Sequence, residues 1–248
     1  MNEFRQSVAD YLYPPDSFHA FDTPHSISLI LFLVLAIWLP IHAKKNLNSR
    51  QQNLLGETMG WIVMSAYLSW VILEIIGGTF SIKEHLPFHL CRFANLAMPI
   101  IMIRKNYRVF EIIFFWALSG TFQGALTPDI TQGFPHYHFF RYWFAHQFMI
   151  VTLIYAVVVF DMRPTWRSLW RAFVGLNLFF LITIPVNLLL DANYFWICEK
   201  PVTPSILDYM GPHPWYILSA EIVALIHFII VLLPFTLKKM RIERSKNE

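Results

Sequence analysis

The chain has 248 residues, of which 56% are hydrophobic and 14% are charged, and its formal net charge is +3. Soluble domains usually carry charges on roughly a quarter of their residues, so this composition excludes an ordinary soluble domain and indicates an integral membrane protein. The sequence contains no phosphate-binding glycine loop and no lysine inside an apolar stretch, which argues against a nucleotide-dependent enzyme and a retinal protein.

In chain order, the first 22 residues are polar, aromatic and interrupted by proline, and they lack the pattern of a cleaved signal peptide. Seven apolar stretches follow, each about long enough to cross a bilayer core of ~30 Å. We therefore predict an all-α fold, with a single integral membrane domain over residues 1–248 and a bundle of seven transmembrane helices. The predicted spans are about 25–43, 56–76, 87–103, 107–126, 139–160, 168–190 and 214–237.

Lysine and arginine are concentrated in every second connection of this predicted bundle. The connections after the first, third and fifth spans and the C-terminal tail hold Lys44, Lys45, Arg50, Arg104, Lys105, Arg108, Arg163, Arg167, Arg171, Lys238, Lys239, Arg241, Arg244 and Lys246. Because cytoplasmic loops are enriched in these residues, the alternation predicts the N-terminus outside and the C-terminus inside. The alternative is six spans, with stretch 87–103 lying in the interface, since Arg92 makes it the least apolar. A bacterial source would place the protein in the cell membrane.

Polar side chains from six predicted spans fall at a similar depth in the outer half of the membrane. At about 1.5 Å of rise per residue, this layer contains Glu74, His89, Cys91, Arg92, Asn95, Gln123, His146, Asn187 and Glu221. Polar groups in a bilayer are costly and usually face the bundle interior or a wet cavity, so we predict a pocket open to the outer leaflet. Glu111, Asn177 and His227 lie outside the layer, and we interpret them as interhelical hydrogen-bonding groups worth about 1 kcal/mol each.

Cysteine and histidine in one layer indicate an activated thiolate. Cys91 lies near the positive end of a predicted helix and beside Arg92, and both features favour the thiolate. His89 is a poor partner, because two residues of helix turn it about 200° away from Cys91. His146 is the better candidate for the base. Gln123, Asn95 or Asn187 would then orient the imidazole or bind an oxyanion.

Several other interpretations of these residues stay open at this stage. Cys91 could be a small apolar core residue, or it could form a disulfide with Cys198, which would remove the nucleophile. Arg92 could extend to the phosphates of the outer leaflet. A zinc site is conceivable from His85, His89, His136 and His138, although neither HExxH nor a close CxxC pair is present.

Two long connections, "LTPDITQGFPHYH" and "DANYFWICEKPVTPSILDYMGPHPWY", are rich in proline, aromatic residues and aspartate. Long ordered loops are often functional, so we expect these two to form a lid over the pocket. The alternative is interfacial packing, with Trp196, Tyr209, Trp215 and Tyr216 at the level of the lipid headgroups.

Four fragments, "LPFHLC", "GALTPD", "FPHYHFFRYWFAH" and "NYFWICEKP…SILDYMGPHPWYIL", resemble the YwaF-type bacterial integral membrane proteins, which are related to the eukaryotic transmembrane protein 164 acyltransferases. The resemblance covers most of the chain. It implies movement of fatty acyl chains between lipids by a cysteine and a histidine in the membrane, and the matching residues are Cys91 and His146. One departure is His213, where the last motif of the family more often has tryptophan.

The sequence thus predicts a membrane-embedded lipid acyltransferase or acyl hydrolase that acts through Cys91 and His146. The alternative is a non-enzymatic lipid or small-solute binding or transport protein that uses the same pocket, and a zinc-dependent lipid hydrolase is a third hypothesis. We expect membrane lipids as partners, no cofactor, no resident metal and no nucleic acid. Protein partners are not specified by the sequence.

Overall fold

The structure is a computed structural model that describes residues 2–201 and 205–247, with side chains for 3–201 and 205–237. Regular structure in this part of the chain is entirely helical. Eight helices lie within it: α1 (Asn2–Leu12), α2 (Thr23–Asn46), α3 (Ser49–Gly77), α4 (Leu90–Arg104), α5 (Tyr107–Leu126), α6 (Tyr137–Val159), α7 (Trp166–Leu190) and α8 (Trp215–Asn247). Two short 3₁₀ turns, Tyr194–Trp196 and Ile206–Tyr209, lie between α7 and α8.

Six of these described helices, all except α1 and α4, are long and apolar enough to cross a membrane. They expose many large apolar side chains, as expected for helices in contact with lipid. The prediction of an all-helical membrane protein is confirmed. The predicted third span corresponds to α4, which has only 15 residues. At 1.5 Å per residue it is about 22 Å long, less than a bilayer core of ~30 Å.

Helix α4 begins three residues later than the sequence predicted, at Leu90 rather than Pro87. Tertiary hydrogen bonds hold the preceding residues in turns. The Arg92 guanidinium donates to the carbonyl oxygens of Glu84 and Leu86, and the Leu86 N–H donates to the Tyr194 hydroxyl at 3.0 Å. Because these partners satisfy backbone polar groups without a helix, the helix starts only after them.

The N-terminal residues form a helix that we did not predict. Helix α1 packs on α3, and Leu12 at its end is fully buried. The following Tyr13 hydroxyl donates to Glu74 Oε1 at 2.7 Å. The N–H groups of Ser17 and Phe18 both donate to the carbonyl oxygen of Thr131, at 2.8 and 2.9 Å. The segment from α1 to Phe18 is therefore attached to α3 and to the connection between α5 and α6.

Local capping explains where the long helices begin and end. Asn48 and Gln51 form a capping box at the start of α3, and Thr165 and Ser168 form another at the start of α7. These reciprocal hydrogen bonds satisfy N–H groups that lack a partner within the helix. Helix α3 ends at Gly77, and the next residue, Gly78, has a φ of 76°, in the left-handed region that glycine adopts without strain.

Helices α5 and α6 are the most buried of the apolar helices and form the centre of the bundle. Their buried aromatic side chains, with that of α8, include Phe110, Phe114, Phe115, Tyr155 and Phe228. Each of the two helices contains one π-helical turn, Ala117–Thr121 in α5 and Phe144–Phe148 in α6, and both turns pack against α4. A π turn changes which side chains face a neighbour, and such turns are frequent at functional sites.

Polar contacts join several helices away from the centre. Glu111 of α5 accepts hydrogen bonds from the Ser168 hydroxyl at 2.7 Å and from Arg171 at 3.0 Å, both on α7. Asn177 of α7 donates to Glu221 of α8 at 3.1 Å. Glu221 therefore lies beside Asn177, a residue that we had placed outside the polar layer. His227 bonds only to a carbonyl oxygen of its own helix, that of Val223, among the hydrogen bonds described.

Candidate functional site

Two neighbouring cavities lie beside the N-terminal turn of α4. The polar cavity has a volume of about 540 Å³, and the hydrogen-bonding or charged residues that line it include Tyr67, Trp70, His85, Arg92, Asn95 and Arg141. The apolar cavity has a volume of about 290 Å³ and is lined mainly by residues such as Trp116, Leu176, Phe180, Phe195, Ile206 and Phe228. Six residues line both, and so form the wall where the cavities meet: His89, Cys91, Asp129, Tyr142, His146 and Trp196.

Cys91 is the second residue of α4 and carries a free thiol. The N-cap residue, His89, makes no side-chain hydrogen bond to the first turn of the helix. Peptide N–H groups of this turn therefore remain unused by a cap, and they point toward the end of the helix at which Cys91 lies. Together with the positive end of the helix dipole and the adjacent Arg92, they partly offset the cost of burying a charged sulfur at this position.

His146 lies inside the π turn of α6 and is buried. Its Nδ1 is 3.1 Å from the carbonyl oxygen of Tyr142, which can only accept, so Nδ1 carries the proton. The neutral ring then has a lone pair on Nε2, the tautomer that a general base requires. The phenol ring of Tyr142 stacks on the imidazole, with ring centroids 3.9 Å apart and planes 10° apart.

Gly124 leaves open the space beside this imidazole. A Cβ atom at residue 124 would lie 2.9 Å from the Tyr142 hydroxyl oxygen, 3.1 Å from His146 Cδ2 and 3.4 Å from His146 Nε2. The first distance is too short for van der Waals contact, and the other two show that the Cδ2–Nε2 edge of the imidazole lies beside this position. Gly124 lines the apolar cavity, so the absence of a side chain keeps the nitrogen accessible from that side.

The structure brings five of the nine predicted site residues to the polar cavity: His89, Cys91, Arg92, Asn95 and His146. Asn95 is buried, and its side-chain oxygen has no hydrogen-bond partner among the described residues, which leaves it available to a bound group. The His89 ring instead contacts the aromatic rings of Tyr194 and Trp196, with centroid distances of 5.6 and 4.9 Å. His89 therefore packs as part of the wall.

The other four predicted residues lie elsewhere. Gln123 and Glu221 line the apolar cavity, whereas Glu74 and Asn187 line neither. The buried Glu74 carboxylate accepts hydrogen bonds from Tyr13, from Trp70 Nε1 at 2.7 Å and from the Thr79 hydroxyl. The Asn187 side-chain oxygen accepts from the Tyr194 N–H at 2.8 Å, and its side-chain nitrogen donates to the Tyr194 carbonyl oxygen at 2.9 Å. Asn187 therefore holds the connection after α7.

Sequence reasoning missed several residues of the polar cavity, chiefly Trp70, Arg141 and Tyr142. A signal was available, because Arg92 and Arg141 are charged residues near the same end of two predicted spans. Charges in spans usually face a common interior cavity. Tyr142 precedes His146 by four residues, the spacing of neighbours on a helix face, and this spacing was not used.

Residues of both predicted lid connections line the cavities. They include Asp129–Gln132 from the first, and Asp191–Asn193, Trp196, Pro201, Ser205–Leu207 and Met210 from the second. Residues 202–204 of the second connection lie outside the described part of the chain. Cys198, in the same connection, is exposed and is also a free thiol, so the structure contains no Cys91–Cys198 disulfide.

The histidines considered for a zinc site make other contacts. His85 Nδ1 accepts from the Ser81 N–H at 2.9 Å, and His136 Nε2 is 2.7 Å from the carbonyl oxygen of Tyr11. Among the side chains that the structure describes, no three His, Cys, Asp or Glu residues are grouped so that they could share a metal ion.

Tyr13, in the N-terminal segment, also lines the polar cavity. Burial, together with the hydrogen bond and the charge of Glu74, raises the pKa of Tyr13 above its usual range. The phenol therefore stays protonated and donates to the carboxylate. This contact joins the segment after α1 to the buried polar group beside Trp70.

Comparison with known proteins adds a family. The model of the TMEM164 family matches residues 20–232. An uncharacterized protein of Treponema pallidum (strain Nichols) is 25% identical over 209 residues, which cover 83% of this chain and 82% of that protein. No solved structure matches the chain.

Proposed function

The chain belongs to the TMEM164 family, and we propose that this membrane protein is an enzyme that transfers or hydrolyses an acyl chain of a lipid. One observation carries the proposal: Cys91 and His146 line both the polar and the apolar cavity. A lipid ester has a polar part on one side of its carbonyl group and a hydrocarbon chain on the other. With these parts in the two cavities, the ester carbonyl lies at the wall that holds the thiol and the imidazole.

The proposed reaction has two steps. His146 Nε2 takes the proton of the Cys91 thiol, and the thiolate attacks the ester carbonyl carbon. The C–S bond forms, the ester C–O bond breaks, and the imidazolium returns the proton to the leaving alcohol. In the second step His146 deprotonates an acceptor, which is a lipid hydroxyl in transfer or water in hydrolysis. The acceptor oxygen attacks the thioester, the C–S bond breaks, and the proton returns to the sulfur.

The other predicted residues have supporting roles in this proposal. Asn95 and Arg92 in the polar cavity, and Gln123 in the apolar cavity, position the carbonyl oxygen or a charged part of the lipid. Glu74 holds Trp70, and Asn187 holds the connection after α7. His89 and Glu221 shape the cavity walls. The motif resemblance to YwaF-type proteins and to eukaryotic acyltransferases supports the same class of reaction.

We also propose that α4 crosses the membrane with its shorter length, so that seven helices span it. The N-terminus then lies outside, the C-terminus lies inside, and both cavities face the outer leaflet. The alternation of basic residues supports this orientation. In a bacterium the protein would lie in the cell membrane.

A direct test is detection of the thioester. We would incubate the purified protein in lipid nanodiscs with phospholipid bearing an alkyne-tagged acyl chain, and detect hydroxylamine-sensitive label on the protein. We expect labelling of the parent and of Cys198→Ala, since Cys198 lines neither cavity. Cys91→Ala should not label, and His146→Ala should label about 10²–10⁴-fold more slowly, the usual contribution of an acid–base group. Equal labelling of Cys91→Ala and the parent would refute the mechanism.

The same preparation separates the enzyme from a lipid-binding or transport protein. A binder that is not an enzyme would retain lipid in the parent and in Cys91→Ala alike, and would form no thioester in either. Added lysolipid distinguishes the two reactions, because a transferase moves the tag to the lysolipid and a hydrolase releases it as fatty acid.

A further inference from the structure

Two arginines from different helices contact one aromatic ring in the polar cavity. The guanidinium carbon of Arg92, on α4, is 4.6 Å from the ring centroid of Trp70, and that of Arg141, on α6, is 4.5 Å from it. Cations at this distance are attracted to the electron-rich face of an indole. Both guanidinium carbons therefore lie around one ring of the polar cavity, within about 9 Å of each other.

Neither charge is neutralised by an ion pair. Within the described residues, no carboxylate forms a salt bridge with Arg92 or Arg141. Glu74 lies beside Trp70, but its oxygens already accept from Trp70, Tyr13 and Thr79. Its buried charge can offset at most one of the two guanidinium charges.

The guanidiniums also retain unused donors. Arg92 donates through Nη1 to two backbone carbonyl oxygens, and Arg141 donates through Nε to His138 Nδ1 at 3.3 Å. Their other N–H groups have no acceptor among the side chains and backbone that the structure describes. Each guanidinium can present a planar pair of donors, a geometry that matches two oxygens of a phosphate group.

The remaining charged groups of the cavity lie in exposed positions. They are Lys83, Glu84, Asp129 and Asp191, and Lys83 pairs with Asp191 at 2.7 Å. Water screens charges at such positions more strongly than it screens the half-buried guanidiniums. The half-buried positive charge therefore attracts an anion into the polar cavity.

From these contacts we infer that Arg92 and Arg141, held on Trp70, bind the phosphoryl group of a phosphate ester. The inference rests on the proposed function in one respect: the rest of the bound molecule is taken to be a lipid whose acyl ester reaches Cys91. Arg141 and Trp70 thus become binding and positioning residues of the site. A neutral lipid of the same length would leave the remaining N–H groups of both guanidiniums without an acceptor, so the site selects for the charged headgroup.

The test compares two ligands that differ only in phosphate: lysophosphatidic acid and the monoacylglycerol with the same acyl chain. Their binding to the protein in nanodiscs of neutral lipid is measured by equilibrium titration. We expect the parent to bind lysophosphatidic acid at least about tenfold more tightly, the usual worth of charge-assisted hydrogen bonds. Arg141→Gln should lose most of this preference while its affinity for monoacylglycerol stays the same. Arg163→Gln, which removes an exposed arginine paired with Asp161, should behave as the parent.

Arg141→Lys is a second variant, included in case Arg141→Gln misfolds. It keeps the charge and the cation–π contact but not the paired donors. It should retain part of the preference. Displacement of lysophosphatidic acid by inorganic phosphate would show that the site accepts free phosphate. Failure of inorganic phosphate to displace the lipid would assign the bound phosphoryl group to a lipid. Both results support a phosphoryl site. Equal affinity of the parent for the two lipids, or equal loss of both in a folded Arg141→Gln, would overturn the inference.

Binding is measured without turnover, so the inference and the proposed function fail separately. Cys91→Ala should retain the preference for lysophosphatidic acid. Absence of a thioester in the parent together with an intact phosphate preference would refute the reaction and leave the binding site standing. A thioester in the parent together with equal affinity for the two lipids would refute the binding site alone.

Discussion

The imidazole of His146 lies nearly parallel to the phenol ring of Tyr142, 3.9 Å away, and its Nδ1 donates to the carbonyl oxygen of the same tyrosine. One residue thus sets both the tilt and the tautomer of the proposed base. The backbone contact persists whatever side chain occupies position 142, whereas the stacking depends on an aromatic ring. The two contributions are therefore separable by mutation.

We expect Tyr142→Ala to slow thioester formation about 10-fold or more, because the imidazole loses the ring that holds its orientation. Tyr142→Phe keeps the ring and loses only the hydroxyl, which accepts from the Asp129 N–H at 3.2 Å. It should remain within about threefold of the parent. The measurement is the initial rate of acyl labelling in nanodiscs. A Phe variant as slow as the Ala variant would assign the effect to the hydroxyl rather than to stacking.

Gly124→Ala should slow the same reaction by about 10–100-fold, because the added methyl group would lie 2.9 Å from the Tyr142 hydroxyl and close to His146 Nε2. Gly120→Ala is the matched control. It introduces the same atom four residues earlier in α5, also at the apolar cavity, where the new Cβ has no heavy atom within 4 Å apart from the adjoining residues of its own helix. Lipid binding and thermal stability should change little in either variant. Equal labelling rates for the two variants would show that the space beside Nε2 is irrelevant.

Tyr13→Phe should loosen the N-terminal segment, because the buried Glu74 carboxylate loses one of its donors. A hydrogen bond to a charged group is worth about 1.5–3 kcal/mol. We expect faster hydrogen exchange in α1 and around Ser17, measured by mass spectrometry, with α5 and α6 unchanged. Tyr11→Phe is the control, since Tyr11 is exposed and its hydroxyl makes no described hydrogen bond. The same exchange in both variants would rule out a role for the Tyr13–Glu74 contact.

Membrane orientation is testable with an impermeant maleimide on intact cells. In a Cys91→Ala background, the exposed Cys198 should react from outside. After Cys198→Ser is added, Arg50→Cys at the exposed start of α3 should react only after the cells are opened. Arg50→Cys is the informative position, because six crossings, with α4 in the interface and Cys198 outside, would leave it outside. Its reaction in intact cells would contradict seven crossings.

The sequence by itself determined that the chain is a helical membrane protein, because long runs of apolar side chains have no stable alternative to helices in a bilayer. It also indicated that Cys91 lies near the N-terminal end of a helix. Helix length was less certain, as α4 shows. Its start depends on hydrogen bonds from Arg92 and Tyr194, and the partners of those bonds are distant in the sequence or outside the helix.

Tertiary structure decided which side chains share a space. Hydropathy describes each segment separately, whereas a cavity depends on how each helix is rotated about its axis against its neighbours. The π turns of α5 and α6 change that rotation within a single helix, next to Gln123 and around His146. No apolar periodicity marks them in advance. The position of Arg141 on Trp70, and the exclusion of Asn187 from both cavities, follow from this packing and could be read only from the assembled bundle.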